Sequence, residues 1–66
     1  MKYTYYKRNL DRSLFYRSNN KTNTVEYRLI QPLEWSIAVY LDKNDLTLPN
    51  FIKLNEIDLI LYNIEE

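Results

Sequence analysis

A 66-residue chain with neither cysteine nor histidine must hold its fold together by packing alone. Disulfides and conventional zinc sites, the staples on which small domains usually rely, are both unavailable. The length admits one domain over residues 1–66, because an independent core needs roughly 50 residues. Such a core yields about 3 to 5 kcal/mol of net stability, so a homodimer or a permanent partner is expected to add burial. A hydrophobic content of 45% and a charged content of 27% mark a folded chain rather than a disordered one.

Glycine is also missing. A P-loop and a dinucleotide-binding turn both need residues without Cβ where backbone meets phosphate, so neither can be built. No cofactor and no metal is expected. The longest apolar runs, 37–41 and 59–62, are too short to span a bilayer, and the N-terminus lacks the apolar core of about 7 to 15 residues that a signal peptide carries. A cytoplasmic location is expected.

A net charge of zero conceals a split along the chain. Residues 1–28 carry Lys2, Lys7, Arg8, Arg12, Arg17, Lys21 and Arg28 against Asp11 and Glu26, a net of +5. Residues 29–66 carry Lys43 and Lys53 against seven carboxylates, a net of −5. Tyrosines 3, 5, 6, 16 and 27 all lie in the basic part. Single-sign regions steer association with partners, unless the two parts pack together and compensate within one molecule.

The alternation of Tyr3, Tyr5 and Lys7 with Thr4, Tyr6 and Arg8 predicts a strand over Lys2 to Arg8. Asn9 to Arg12 reads as a turn, and a second strand follows over Ser13 to Arg17. The polar stretch Ser18 to Asn23 is a loop, and Thr24 to Gln31 alternates again, which makes a hairpin and an antiparallel meander of three strands. Pro32 cannot donate to a ladder, so it ends the third strand or marks an edge. Residues 33–41 satisfy two periods at once. Trp35, Ile37, Val39 and Leu41 alternate as in a strand, while Leu33, Ile37, Tyr40 and Leu41 follow helical spacing; the β-branched Ile37 and Val39 favour the strand. Asp42 to Asp45 is turn-rich, and Leu46 to Leu54 is an extended connection with a short strand over Phe51 to Leu54. Asn55 is a good N-cap, Glu56 and Asp58 suit the first helical turn, and Ile57, Ile60, Leu61 and Ile64 form an apolar stripe, so a helix is expected over Glu56 to Ile64. The expected architecture is α+β: a small antiparallel sheet of three or four strands with one C-terminal helix packed on a face.

Catalytic chemistry has little to work with. Ser13, Ser18 and Ser36 have no histidine to activate them, and Lys7 or Lys53 would have to act as base without an orienting group; the chain is expected not to be an enzyme. Asp42, Asn44 and Asp45 resemble the start of a calcium loop but lack its glycine and closing glutamate, and turn and cap roles explain them. The Asn20, Lys21, Thr22 sequon has no meaning without secretion.

The remaining signal is the combination of tyrosine and arginine. Tyr3, Tyr5, Tyr6, Arg8, Arg12, Tyr16, Arg17 and Arg28 are the candidate partner-binding residues. Tyrosine and arginine dominate protein hot spots because they bury much area and keep a polar handle. The same side chains also suit base stacking and phosphate contact on single-stranded nucleic acid. Protein binding is the first expectation and nucleic-acid binding the alternative. The Asn, Lys, Ile and Tyr usage is in the style of small proteins from AT-rich bacteria and their phages, including inhibitors of host defence or regulatory enzymes. A phage or mobile-element inhibitor that occludes a protein in the cytoplasm of a bacterial host is therefore the concrete form of the first expectation.

Overall fold

The computed structural model describes residues 2–9, 14–29 and 34–64. They form β1 (Tyr3–Arg8), β2 (Leu14–Asn19), β3 (Val25–Leu29), β4 (Ser36–Ile37), β5 (Phe51–Lys53) and α1 (Glu56–Leu61). Every strand pair is antiparallel, and the sheet runs in the order β4-β3-β2-β1-β5. The α+β class and the C-terminal helix are as expected. The sheet has five strands rather than three or four, because the short Phe51–Lys53 segment returns across the chain to pair with Tyr6–Arg8.

Side chains alternate between faces along a strand, so the register assigns them to two sets. Tyr3, Tyr5, Lys7, Phe15, Arg17, Glu26 and Arg28 share one face. Tyr6, Arg8, Leu14, Tyr16, Ser18, Val25 and Tyr27 share the other. Both faces are covered. On the first, the helix face, Leu54, Leu59 and Ile64 close over Tyr5 and Phe15. On the second, the loop face, Ala38 and Leu46 close over Tyr16, Val25 and Phe51. The central strand β2 is consequently buried on both sides, at Phe15, Tyr16 and Ser18, and loses the apolar-in, polar-out alternation of a one-sided sheet.

Several boundaries differ from expectation for tertiary reasons. β2 continues through Ser18 and Asn19 because their backbones lie between partners: Ser18 is opposite Thr4 and Val25, and Asn19 is opposite Tyr3. The loop therefore starts at Asn20, with the Asn19 side-chain oxygen accepting from the Lys21 and Thr22 N–H groups at 2.9 and 3.3 Å. Of the strand expected over 33–41, only Ser36–Ile37 pairs with β3. The chain then turns, with the Leu41 N–H donating to the Ala38 carbonyl at 3.1 Å, and carries Ala38 and Leu41 onto the loop-face core. The expected turn over 42–45 is a 3-10 turn, Lys43–Asp45, capped by Asp42. α1 ends at Leu61 rather than Ile64, because Asn63 takes a left-handed conformation with φ 57°. Asn9 donates its N–H to the Asn50 carbonyl at 2.8 Å; the rest of the turn expected over 9–12, together with Ser13, Ile30, Gln31, Pro32 and Leu33, lies outside the described residues. No helix among the described residues is long and apolar enough to cross a membrane.

Candidate binding surfaces

The described tyrosines and arginines among those singled out in the sequence divide between the two faces, and Tyr5, Tyr16 and Arg28 turn inward. On the helix face, Tyr3, Tyr5, Arg17 and Arg28 converge on Trp35. The Arg17 guanidinium carbon lies 3.9 Å from the Tyr3 ring centroid and 4.3 Å from that of Trp35, while its Nε donates to Glu26 Oε1 at 2.9 Å. Arg28 stacks on Phe15 and Trp35 at 5.8 and 5.5 Å, and Tyr5 meets Trp35 with ring centroids 5.9 Å apart. Trp35 was not among the residues singled out. Nothing in its local sequence shows that two arginines from the hairpin would reach it, since only the pairing of β2 with β3 brings them together.

On the loop face, Tyr16 is buried against Phe51, with ring centroids 5.1 Å apart at an interplanar angle of 89°. Burial raises its pKa; the neighbouring Tyr40 adds to the rise and Arg8 opposes it. Tyr6 is half-buried against the same cluster, and Arg8 is exposed. Tyr5, Tyr16 and Arg28 are thus buried in the free chain, at 2%, 2% and 5% exposure. They lie inward because covering both sheet faces leaves no open side for the meander's large rings. Arg17 is committed to two rings and a carboxylate. Tyr3, Tyr6 and Arg8 keep solvent access, and Arg12 lies outside the described residues.

Among the described residues, no ion pair joins the two halves of the charge split. Among the described residues the one ion pair is Arg17 with Glu26, both from the basic half. Asp42 and Asp45 cap their own turn: Asp42 Oδ1 accepts from the Asn44 N–H at 2.8 Å, and Asp45 Oδ2 accepts from the Asp42 N–H at 2.9 Å. No group of three or more potential metal ligands comes together among the described residues.

Exposed apolar side chains lie at Leu29 and Ile37 on β3 and β4, at Val39, Tyr40 and Leu48 in the segment that follows, and on α1. Successive helical residues are separated by about 100°, so Leu59 and Tyr62 share one side of α1 while Ile57, Ile60 and Leu61 share the opposite side. The sheet takes the first pair: Leu59 is buried, and Tyr62 packs on Phe15 at 5.0 Å. Ile57, Ile60 and Leu61 remain 68%, 78% and 73% exposed. The stripe expected to be the buried side of the helix is therefore its outer side, apart from Ile64, which the left-handed turn at Asn63 folds back into the core. Glu56 borders this stripe beside Ile60, and Asp58 borders it beside Leu61, by the same helical geometry. A shallow groove of about 260 Å³ between Glu56, Leu59, Ile60 and Ile64 adjoins it. The signal in the sequence was that α1 is apolar on both sides, a pattern that a helix against a single sheet cannot fully bury. No family model, curated protein or solved structure matches the chain.

Proposed function

We propose that the protein is a non-enzymatic protein-binding module whose contact surface is the outer side of α1, and that its partner presents an apolar patch bordered by lysine or arginine. One observation carries this reading. Three large aliphatic side chains stand side by side on one short helix, each more than two-thirds exposed. A contiguous exposed apolar patch points to an interaction site, whereas scattered single apolar residues on a surface need no such explanation. The flanking Glu56 and Asp58 supply the charge preference, because an acidic rim selects a basic one and disfavours like charge. A second copy docking through the same side would oppose the two acidic rims, so a partner of different sequence is favoured over a homodimer at this surface. An inhibitor encoded by a phage or mobile element, acting on a defence or regulatory protein in a bacterial cytoplasm, fits this surface chemistry; amino-acid usage supports that origin. The alternative, nucleic-acid binding through the basic strands, is less favoured because Tyr5, Tyr16, Arg17 and Arg28 make internal contacts, although Tyr3, Tyr6, Lys2, Arg8 and Lys21 keep solvent access.

The test is a comparison of two variants in the same binding assay with the partner recovered by affinity purification. Replacing Ile57, Ile60 and Leu61 together by serine should abolish binding while changing stability by less than about 0.5 kcal/mol per site, since exposed positions are thermodynamically near neutral. Replacing Tyr6 and Arg8 by alanine should leave binding within about twofold. The reverse pattern, or submicromolar oligonucleotide binding that falls by orders of magnitude between about 50 and 200 mM salt, would overturn the proposal.

A further inference from the structure

The two edges of the sheet are protected unequally. An edge strand presents unpaired N–H and C=O groups to any other strand, and folded proteins blunt such edges with lysine, proline, a bulge or a covering loop. At the β5 edge the outward Phe51 N–H is already taken by the Thr47 carbonyl at 3.0 Å, and Lys53 is exposed beside it. Among the described residues the β4 edge has no such guard, and no strand lies beyond it. The Ala38 N–H donates to the Val25 carbonyl at 2.8 Å, so in the antiparallel ladder the neighbouring Ile37 points its N–H and C=O away from β3. Residues 35–41, Trp-Ser-Ile-Ala-Val-Tyr-Leu, contain no charge, no proline and no glycine, the composition of segments that pair with their own kind. Ile37, Val39 and Tyr40 are 61%, 88% and 69% exposed.

We propose that β4 is a self-association edge, to which a second copy of the chain adds its own β4 in antiparallel orientation, Ile37 opposite Ile37 and each Trp35 beside Val39 of the other copy. Charge favours a copy over a foreign strand. Two-fold pairing sets the segment against itself, and an uncharged segment then opposes no like charges, whereas a charged strand would find no counter-charge on it. Glu26, opposite Ile37 on β3, is already bonded to Arg17. The two Ile37 residues would exchange both backbone bonds, which satisfies the groups that point outward. Pairing stops after Val39, because the chain turns there with the Leu41 N–H on the Ala38 carbonyl. The interface is therefore short and its affinity modest. It uses no residue of α1 and stands independently of the role proposed for that helix.

Sedimentation equilibrium reads the association. The mass should rise from 8.1 kDa to twice that value with a midpoint between roughly 1 and 100 μM, the range of a small interface, and stop there because a two-fold pair is closed. Ile37→Lys and Val39→Lys, each placing a charge at an exposed edge position, should stay at 8.1 kDa throughout that range. Their Tm in dilute solution should lie within about 4 °C of wild type. The chain has no cysteine, so Ile37→Cys reports the register. Residues that exchange both bonds have Cα atoms about 5.5 Å apart, within disulfide reach, so oxidised glutathione should crosslink this variant and not Ile60→Cys on α1. The proposal is overturned by a wild-type mass that stays at 8.1 kDa, by lysine variants that associate like wild type, by growth beyond the dimer, or by Ile60→Cys crosslinking as readily as Ile37→Cys.

Discussion

Among the described residues, Tyr16 couples proton binding to folding. Burial against Phe51 and the nearby Tyr40 raise its pKa above the ordinary 10.0, while Arg8 pulls in the opposite direction. A phenol is neutral when protonated, so a raised pKa means that the folded state holds the proton more tightly than the unfolded one. Below pH about 10 both states keep the proton and the full stability is present. As the pH climbs from there through the higher folded value, the unfolded chain releases its proton first and stability falls. Urea midpoints should therefore be level up to pH about 10 and then decline, and Tyr16→Phe should make the decline shallower. An equally steep decline in the phenylalanine variant would assign it to the other tyrosines. Arg17 illustrates the same principle without titration: a cation becomes tolerable inside once two rings and a carboxylate replace its water.

At the scale of elements, α1 shows how six residues are kept helical when isolated helices shorter than about 12 to 15 are marginal. Both ends are closed by side chains or left-handed backbone. Asn55 Oδ1 accepts from the Asp58 N–H at 2.8 Å, and Asp58 Oδ2 accepts from the Asn55 N–H at 3.1 Å, a reciprocal capping box. At the other end, the Asn63 N–H donates to the Ile60 carbonyl at 3.1 Å and the Ile64 N–H to the Leu59 carbonyl at 2.8 Å. This is the Schellman arrangement, and its apolar clasp is the buried pair Leu59 and Ile64. The position at φ 57° usually belongs to glycine. In a chain without glycine, asparagine takes it, because its short polar side chain tolerates the left-handed region best among the remaining residues. Asn63→Gly should hold or raise the urea midpoint, whereas Asn63→Ala should cost about 1 to 2 kcal/mol. Equal stabilities for the two would show that the left-handed turn does not limit the helix end.

Across the whole molecule, one thin sheet serves two small cores. The helix-face cluster around Tyr5 and Phe15 and the loop-face cluster around Tyr16 and Val25 both rest on β2, whose adjacent Phe15 and Tyr16 point to opposite sides. Neither cluster can lose its floor without exposing the other. Unfolding should accordingly be a single transition, and Ile64→Val on one side and Leu46→Val on the other should each lower the midpoint by the equivalent of about 0.5 to 1.5 kcal/mol with an unchanged m-value. Their effects should add in the double variant, since the sites are on opposite faces and share no partner. A separate low-temperature transition in Leu46→Val would mean that segment 38–50 melts independently.

What the amino-acid order determines on its own is everything that depends on near neighbours. The meander follows from alternation around a polar loop, and the helix start follows from Asn55 and Asp58 three residues apart. The α+β class follows from strands that precede a capped helical segment. These are interactions over one to four residues, and their partners are adjacent in the chain. Tertiary structure alone decided the rest, because each choice was between locally equivalent options. α1 is apolar on two sides, and the sheet beneath it, assembled from residues some 40 positions earlier, selected Leu59 and Tyr62 and left Ile57, Ile60 and Leu61 outside. Residues 33–41 fit two periods, and the need to cover the loop face with Ala38 and Leu41 drew the chain off the sheet after Ile37. The arginines of the hairpin read as surface cations until Trp35 arrived from outside the hairpin to stack on them. Burial of a side chain depends on what covers it, and here the covering segments are remote in sequence.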